Sequence, residues 1–191
     1  MYQPILLIQG INNQLVEGIL CDVTQKHHED FKTLCQPQLQ QFGAVDRDWD
    51  WDFKARVYGS LPGAELYAIE CGALTQGLML MTAAGHRSWF KPASRIVYVQ
   101  YLASAPWNRP EIQNPPTYKA VGGRLLDFAR ARSLELGYKG RVGLHSIPQE
   151  ERFYRKAGMI EVGADPENDN LVYFEWYRSS EVTSEDADRW S

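Results

Sequence analysis

Three cysteines, Cys21, Cys35 and Cys71, are too few and too scattered for a disulfide framework or a Cys-x-x-Cys metal knuckle. They read as reduced, packed thiols. Met1–Gln9 lacks the basic stretch that opens a secretory leader, so the chain is expected to be cytoplasmic. No apolar run approaches the roughly 20 residues that a membrane helix needs, so no membrane partner is expected. A basic surplus is missing too: Lys+Arg number 20 against 24 Asp+Glu, for a net charge of −4. Duplex-binding surfaces carry excess cations, so no nucleic-acid partner is expected. The glycine patterns of Rossmann and Walker A phosphate loops are absent, which removes dinucleotide and ATP sites of those kinds. What remains is ordinary for a globular domain, with 44% hydrophobic and 23% charged residues in 191. One domain over 1–178 is predicted, followed by an acidic, flexible tail over 179–191 with four carboxylates against Arg189.

The apolar run Pro4–Ile8 predicts a first strand, and Asn12–Gln41, with Leu15 and Ile19 at helical spacing, predicts one or two helices broken near Pro37. Leu66–Cys71 and Gln76–Ala84 predict a hairpin closed by the Gly72–Thr75 link. Ser94–Ala105 carries the strongest strand alternation, with Val97, Val99, Tyr101 and Ala103 on one face and Tyr98, Gln100 and Leu102 on the other. A proline-rich loop then leads into a helix over Tyr118–Leu136 that buries Val121, Leu125 and Ala129 and ends at Gly137. Arg141–Ile147 predicts a strand, Pro148–Ala157 a short helix, and Met159–Val162 and Leu171–Tyr177 two closing strands. This order predicts a mixed α/β (α+β) fold rather than a uniform series of parallel units.

Chemistry concentrates in three segments: Tyr101-Leu-Ala-Ser-Ala-Pro106, Thr117-Tyr-Lys-Ala-Val-Gly-Gly-Arg-Leu-Leu126 and Phe153-Tyr-Arg-Lys-Ala-Gly-Met159. A strand ending in small residues feeds a glycine-containing helix start, where unpaired N–H groups and the positive end of the helix dipole favour phosphate. Gly122 and Gly123 would let a diphosphate approach the backbone. Lys119 and Arg124 stand where the dipole disfavours cations unless an anion is present; as ordinary surface residues at a helix start they would need no ligand.

Together the segments resemble the GNAT superfamily of acyl-CoA-dependent N-acetyltransferases, with a central mixed, mostly antiparallel sheet flanked by helices. The family's Gln/Arg-x-x-Gly-x-Gly/Ala loop reads Thr117-x-x-Ala120-x-Gly122 here, with Leu125-Leu126 in register, and its aromatic-Tyr-x3-Gly signature reads Phe153-Tyr154 through Gly158-Met159. The resemblance covers about Leu66–Tyr177. It implies acetyl-CoA as co-substrate, held by the backbone of Leu102, Ala103 and Ser104 and by Thr117, Lys119, Ala120, Val121, Gly122, Gly123 and Arg124. It also implies a leaving CoA thiolate protonated by Tyr154. Thr117 and Ala120 depart from the pattern, as does Ile147 where an Asn is often found; Arg109 is a possible substitute anion contact.

The general base stays open between His145 and a water relay, because the strand that carries a Glu in some members has no carboxylate here. Asp46–Asp52 reads either as a cation-binding segment or as a solvated loop whose tryptophans pack inward. No metal is expected, since adjacent positions in His27-His28-Glu29-Asp30 face different ways on a helix. The expected activity is acetylation of a primary amine, on a small molecule or peptide, by a monomer or homodimer. The rival is a non-catalytic acyl-CoA-binding module.

Overall fold

The computed structural model describes residues 1–177; the acidic stretch 179–191 lies outside them. In chain order come strands β1 (Tyr2–Gln9) and β2 (Leu15–Asp22), then helices α1 (Gln25–Asp30), α2 (Gln36–Phe42) and α3 (Trp51–Tyr58). Strands β3 (Ala64–Cys71), β4 (Leu74–Thr82), β5 (Val97–Ser104) and β6 (Tyr118–Lys119) lead to α4 (Val121–Glu135), β7 (Val142–Ser146), α5 (Glu151–Lys156), β8 (Ile160–Asp165) and β9 (Leu171–Trp176). The strands form one nine-stranded sheet in the order β6-β1-β2-β3-β4-β5-β7-β9-β8. It is mixed: β1, β2 and β3 pair antiparallel in turn, as do β7, β9 and β8, whereas β5 and β7 run parallel. Among the described residues no helix is long and apolar enough to cross a membrane.

Contacts divide the chain into two compact units. The first takes Met1–Leu80 and Tyr101–Leu126. Its core gathers Phe31, Cys35, Leu39 and Trp51 from the helical segment with Ala68, Leu78, Leu80, Ala103 and Ala105 from the strands. The hairpin from β3 to β4 turns on Gly72 and Ala73, both at φ 61°, the left-handed pair that a two-residue hairpin favours. Gly77 on β4 is required by packing: a Cβ there would meet Val121 Cγ1 at 2.8 Å and Leu125 Cδ1 at 3.2 Å, so α4 could not seat on the strand. Of the described residues the second unit takes Met81–Gln100 and 127–177, with a core of Val97, Val99, Ala129, Val142, Leu144, Met159 and Phe174.

Three sequence expectations fail locally. Leu15 and Ile19 lie on β2, not on a helix, because a spacing of four is even and satisfies a strand's period as well as a helix's. Pro37 does not break a helix: it follows a π-helical turn, Phe31–Cys35, inside a run that stays helical from Gln25 to Phe42, so the chain absorbs the proline by a local widening of the helix rather than a break. The helix expected from Tyr118 starts at Val121, since Tyr118 and Lys119 pair instead with Gln9 and Ile8 of β1.

Candidate functional site

The loop after β5 is locked by buried polar contacts within the first unit. Asn108 donates through Nδ2 to Gln76 Oε1 at 2.9 Å and accepts at Oδ1 from the Tyr118 N–H at 2.9 Å, while Trp107 Nε1 donates to the same Gln76 oxygen at 2.8 Å. Gly10 donates to Thr117 O at 2.9 Å and packs so tightly on Pro116 that a side chain there would collide with its carbonyl. The loop therefore arrives at α4 in one conformation.

At that junction Ala120 holds φ 67°. A left-handed residue cannot continue a helix, so α4 begins at the next position. The first intrahelical bond runs from Arg124 N to Ala120 O at 2.9 Å, which places the amides of Val121, Gly122 and Gly123 ahead of the ladder as donors for an external acceptor. A Cβ on Gly123 would meet nothing within 4 Å, so space lies open beside it. Lys119 Nζ donates to Asn13 Oδ1 at 2.7 Å and Arg124 Nε to Leu6 O at 3.1 Å, so both cations have contacts of their own. Ala120→Gly should relieve about 1–2 kcal/mol of left-handed strain, partly offset by glycine's larger unfolded-state entropy. The ligand-free melting temperature is expected to rise by about 1–4 °C; an unchanged or lowered midpoint in calorimetry would refute the strain.

Arg109 is not a spare anion contact. Its guanidinium donates to Asp46 Oδ1 at 2.8 Å and Oδ2 at 2.5 Å, and its Nε donates to Ser104 O at 2.9 Å. The Asp46–Asp52 segment has the inward-packed form. Asp46 is buried in that ion pair, Asp50 Oδ1 accepts from the Phe53 N–H and caps α3, and Asp52 Oδ1 pairs with His28 Nδ1 at 3.0 Å. Trp51 packs edge-on to Phe31, and Trp49 and Tyr58 pack edge-on to Tyr101. The cation position over these rings is filled by Lys54, whose Nζ lies 3.4 Å from the Tyr101 centroid and 4.7 Å from that of Trp49. Burial brings the Lys54 ammonium down to about 8.

Cys21, His27 and Glu70 bring possible ligand atoms within 4.8 Å of one another, a grouping the sequence hides because Glu70 arrives from β3. The hydrogen bonds suit a protonated nitrogen better than a metal. His27 Nδ1 accepts from the Thr24 N–H at 2.8 Å, so in the neutral ring Nε2 carries the hydrogen and donates to Glu70 Oε1 at 3.1 Å. Lys26 Nζ sits 2.7 Å from the same carboxylate and supplies positive charge already. Burial pushes the Cys21 thiol up and takes that of Cys35 up to about 12, so neither is an activated nucleophile.

In the second unit β5 and β7 pair at Val97–Val142, Tyr98–Gly143 and Val99–Leu144, and the ladder covers no residue after Val99. Tyr154 stands on α5, 7% exposed, with its ring against Phe153 and Phe174 at 5.1 and 5.6 Å. Its hydroxyl has no hydrogen-bond partner among the described residues. Burial raises its pKa, so it is a protonated phenol. His145 on β7 is no isolated strand histidine: Nδ1 lies 2.6 Å from Tyr98 Oη and Nε2 lies 2.9 Å from Asp165 Oδ2. Sequence reading named His145 and Tyr98 separately and missed Asp165, which lies on another strand 20 positions from His145.

No protein-family model and no curated protein sequence matches the chain. Solved structures do. An acetyltransferase of the GNAT family from Listeria monocytogenes superposes with a TM-score of 0.56 at 14% identity, over 84% of this chain and 95% of that one. The PaiA N-acetyltransferase from Thermoplasma acidophilum, in complex with coenzyme A, gives 0.55 at 12% identity over 84% and 98%. The Bacillus subtilis N-acetyltransferase YlbP, also in complex with coenzyme A, gives 0.51 at 13% identity over 93% and 97%. The strand order, the parallel β5–β7 pair with α4 between its strands and these superpositions agree: the chain has the fold of the GNAT acetyltransferases.

Proposed function

We propose that this chain transfers an acetyl group from acetyl-CoA to a primary amine of a small molecule or peptide. The observation that carries the reading is the pair formed by β5 and the start of α4: the β5–β7 ladder ends at Val99, and the loop that follows β5 delivers Val121, Gly122 and Gly123 as amides ahead of the helix ladder. In this reading the backbone of Leu102, Ala103 and Ser104 bonds the pantetheine arm. Arg109 donates to the Ser104 carbonyl and fixes the end of the strand. The Ala120–Gly123 amides hold the diphosphate, with Thr117, Lys119 and Arg124 at its edge. The amine attacks the thioester carbon directly, Tyr154 hands a proton to the departing sulfur, and positioning supplies much of the rate.

Acetyl-CoA binds the folded state only, so at a hundredfold excess over its dissociation constant it should add about 2.7 kcal/mol of stability. For a chain of this size that is a rise of roughly 5–10 °C in the melting temperature. Absence of any shift at millimolar acetyl-CoA overturns the reading. Binding without release of CoA thiol over a broad amine panel would instead favour the non-catalytic module, to which the lack of a carboxylate on β5 lends support.

A further inference from the structure

We propose that Tyr98, His145 and Asp165 form the relay that removes the acceptor's ammonium proton, with Tyr98 Oη meeting the acceptor nitrogen and His145 Nδ1 as the base. The inference rests on the acetyl-transfer reading and fills the place left by the missing strand carboxylate. Its direction follows from hydrogen bonding. Asp165 Oδ2 accepts from Asn168 Nδ2 at 2.6 Å and Oδ1 from the Glu167 N–H at 3.0 Å. The Asn168 contact, ahead of the others, holds this carboxyl below its ordinary range. An ionised carboxylate only accepts, so the hydrogen between it and His145 sits on Nε2. Nδ1 of the neutral ring is then a lone pair, and across 2.6 Å the Tyr98 hydroxyl must be the donor. Tyr98 Oη also takes a backbone hydrogen bond from His145, and its remaining lone pair is left to accept from an ammonium.

The step balances. An ammonium N–H passes its proton to Tyr98 Oη as the Tyr98 hydroxyl proton moves to His145 Nδ1, and the imidazolium so formed keeps its Nε2–H on Asp165. The freed amine bonds to the thioester carbon, and the C–S bond breaks with its electron pair on sulfur; Tyr154 protonates that thiolate, the second proton of the attacking nitrogen replaces the one Tyr154 gave, and the imidazolium later returns its proton to water. The surroundings suit these roles. Burial takes Tyr98 up to about 12, which keeps it a neutral conduit. Burial also lowers His145 below its ordinary value against the opposing pull of Asp165, so the ring is in its base form near neutrality. The titratable groups packed around it are His86, stacked on the Tyr98 ring at 4.3 Å and itself lowered by burial and by His145, and Tyr173, whose ring lies 5.0 Å away. Glu175 accepts from the Tyr173 hydroxyl, from Ser88 and from the Trp89 N–H, and so fixes the Trp89 ring beside His145.

Two measurements test the relay. Nitrogen NMR of the His145 ring should report hydrogen on Nε2; hydrogen on Nδ1 overturns the proposal without any assay. In the second, CoA thiol release is followed from about pH 6 to about pH 10 with an amine that the parent accepts. The parent should lose activity only as pH falls below the ordinary histidine value of about 6.5, where His145 protonates. Tyr98→Phe and His145→Gln should each lose about 10²-fold near pH 7. They should regain rate as pH nears the amine's own pKa, about 10.4 for a lysine-type acceptor, because the amine then arrives deprotonated. The melting shift caused by acetyl-CoA should be the same in all three proteins. A loss equal at every pH, or an undiminished His145→Gln, overturns the relay alone; a parent that binds no acetyl-CoA ends the acetyl-transfer reading and the relay with it.

Discussion

Replacing Tyr154 with Phe is expected to lower kcat by about 10²–10⁴-fold while leaving acetyl-CoA affinity close to that of the parent. The substitution keeps the ring that packs on Phe153 and Phe174 and removes only an oxygen that has no hydrogen-bond partner among the described residues. Tyr154 Oη is not among the fully buried side-chain atoms that lack a partner, so its removal strands no buried group. The variant should therefore melt close to the parent temperature. Burial makes the phenol a weaker acid than usual. In the proposed role it would serve the leaving thiolate first as a hydrogen-bond donor, which places the expected loss toward the lower end of the range. Stability by calorimetry, affinity by titration and turnover by thiol release separate the roles. Near-normal turnover in the folded variant would take Tyr154 out of the mechanism, and a sharp drop in melting temperature would make it a structural residue.

How much of this could be read from the chain depended on whether the signal was local. β5 and α4 were legible because their patterns repeat within one element: Val97 and Val99 alternate into the core, and Val121, Leu125 and Ala129 recur at four-residue spacing and are all buried. The hairpin at Gly72 and the helix end at Gly137, which holds φ 74°, were legible for the same reason, because a left-handed turn demands particular residues in place. β2 was not, since an even spacing fits both periods and Gly18 gives no apolar mark at a buried position. The candidate site divides in the same way. The loop proposed for the cofactor is one contiguous segment. The relay joins Tyr98 to His145 across 47 positions and His145 to Asp165 across 20, and no spacing rule links residues brought together only by the neighbours chosen in the sheet. Arg109 was misjudged because its partner lies 63 positions away.

That partner carries the largest expected effect on stability. Asp46→Ala should destabilise the protein by about 3–5 kcal/mol, because removing one member of a buried ion pair takes from the other charge its carboxylate in a poorly solvated place. Asp46 and Arg109 have side-chain exposures of only 4% and 12%, and the guanidinium meets the carboxylate through two N–H bonds. Arg109 also holds the Ser104 carbonyl, so a guanidinium pulled toward water would loosen the end of β5 from which the cofactor reading starts. The melting temperature should fall by roughly 6–20 °C. Asp46→Leu combined with Arg109→Met removes both charges and should lose markedly less than the sum of the single changes, which isolates the charge from the packing. Acetyl-CoA should then stabilise the double variant by less than the parent if the Arg109–Ser104 bond shapes the strand end for pantetheine. Melting of Asp46→Ala within a degree or two of the parent would mean that Arg109 finds solvent or another acceptor at little cost, and the pair would lose its place in the argument.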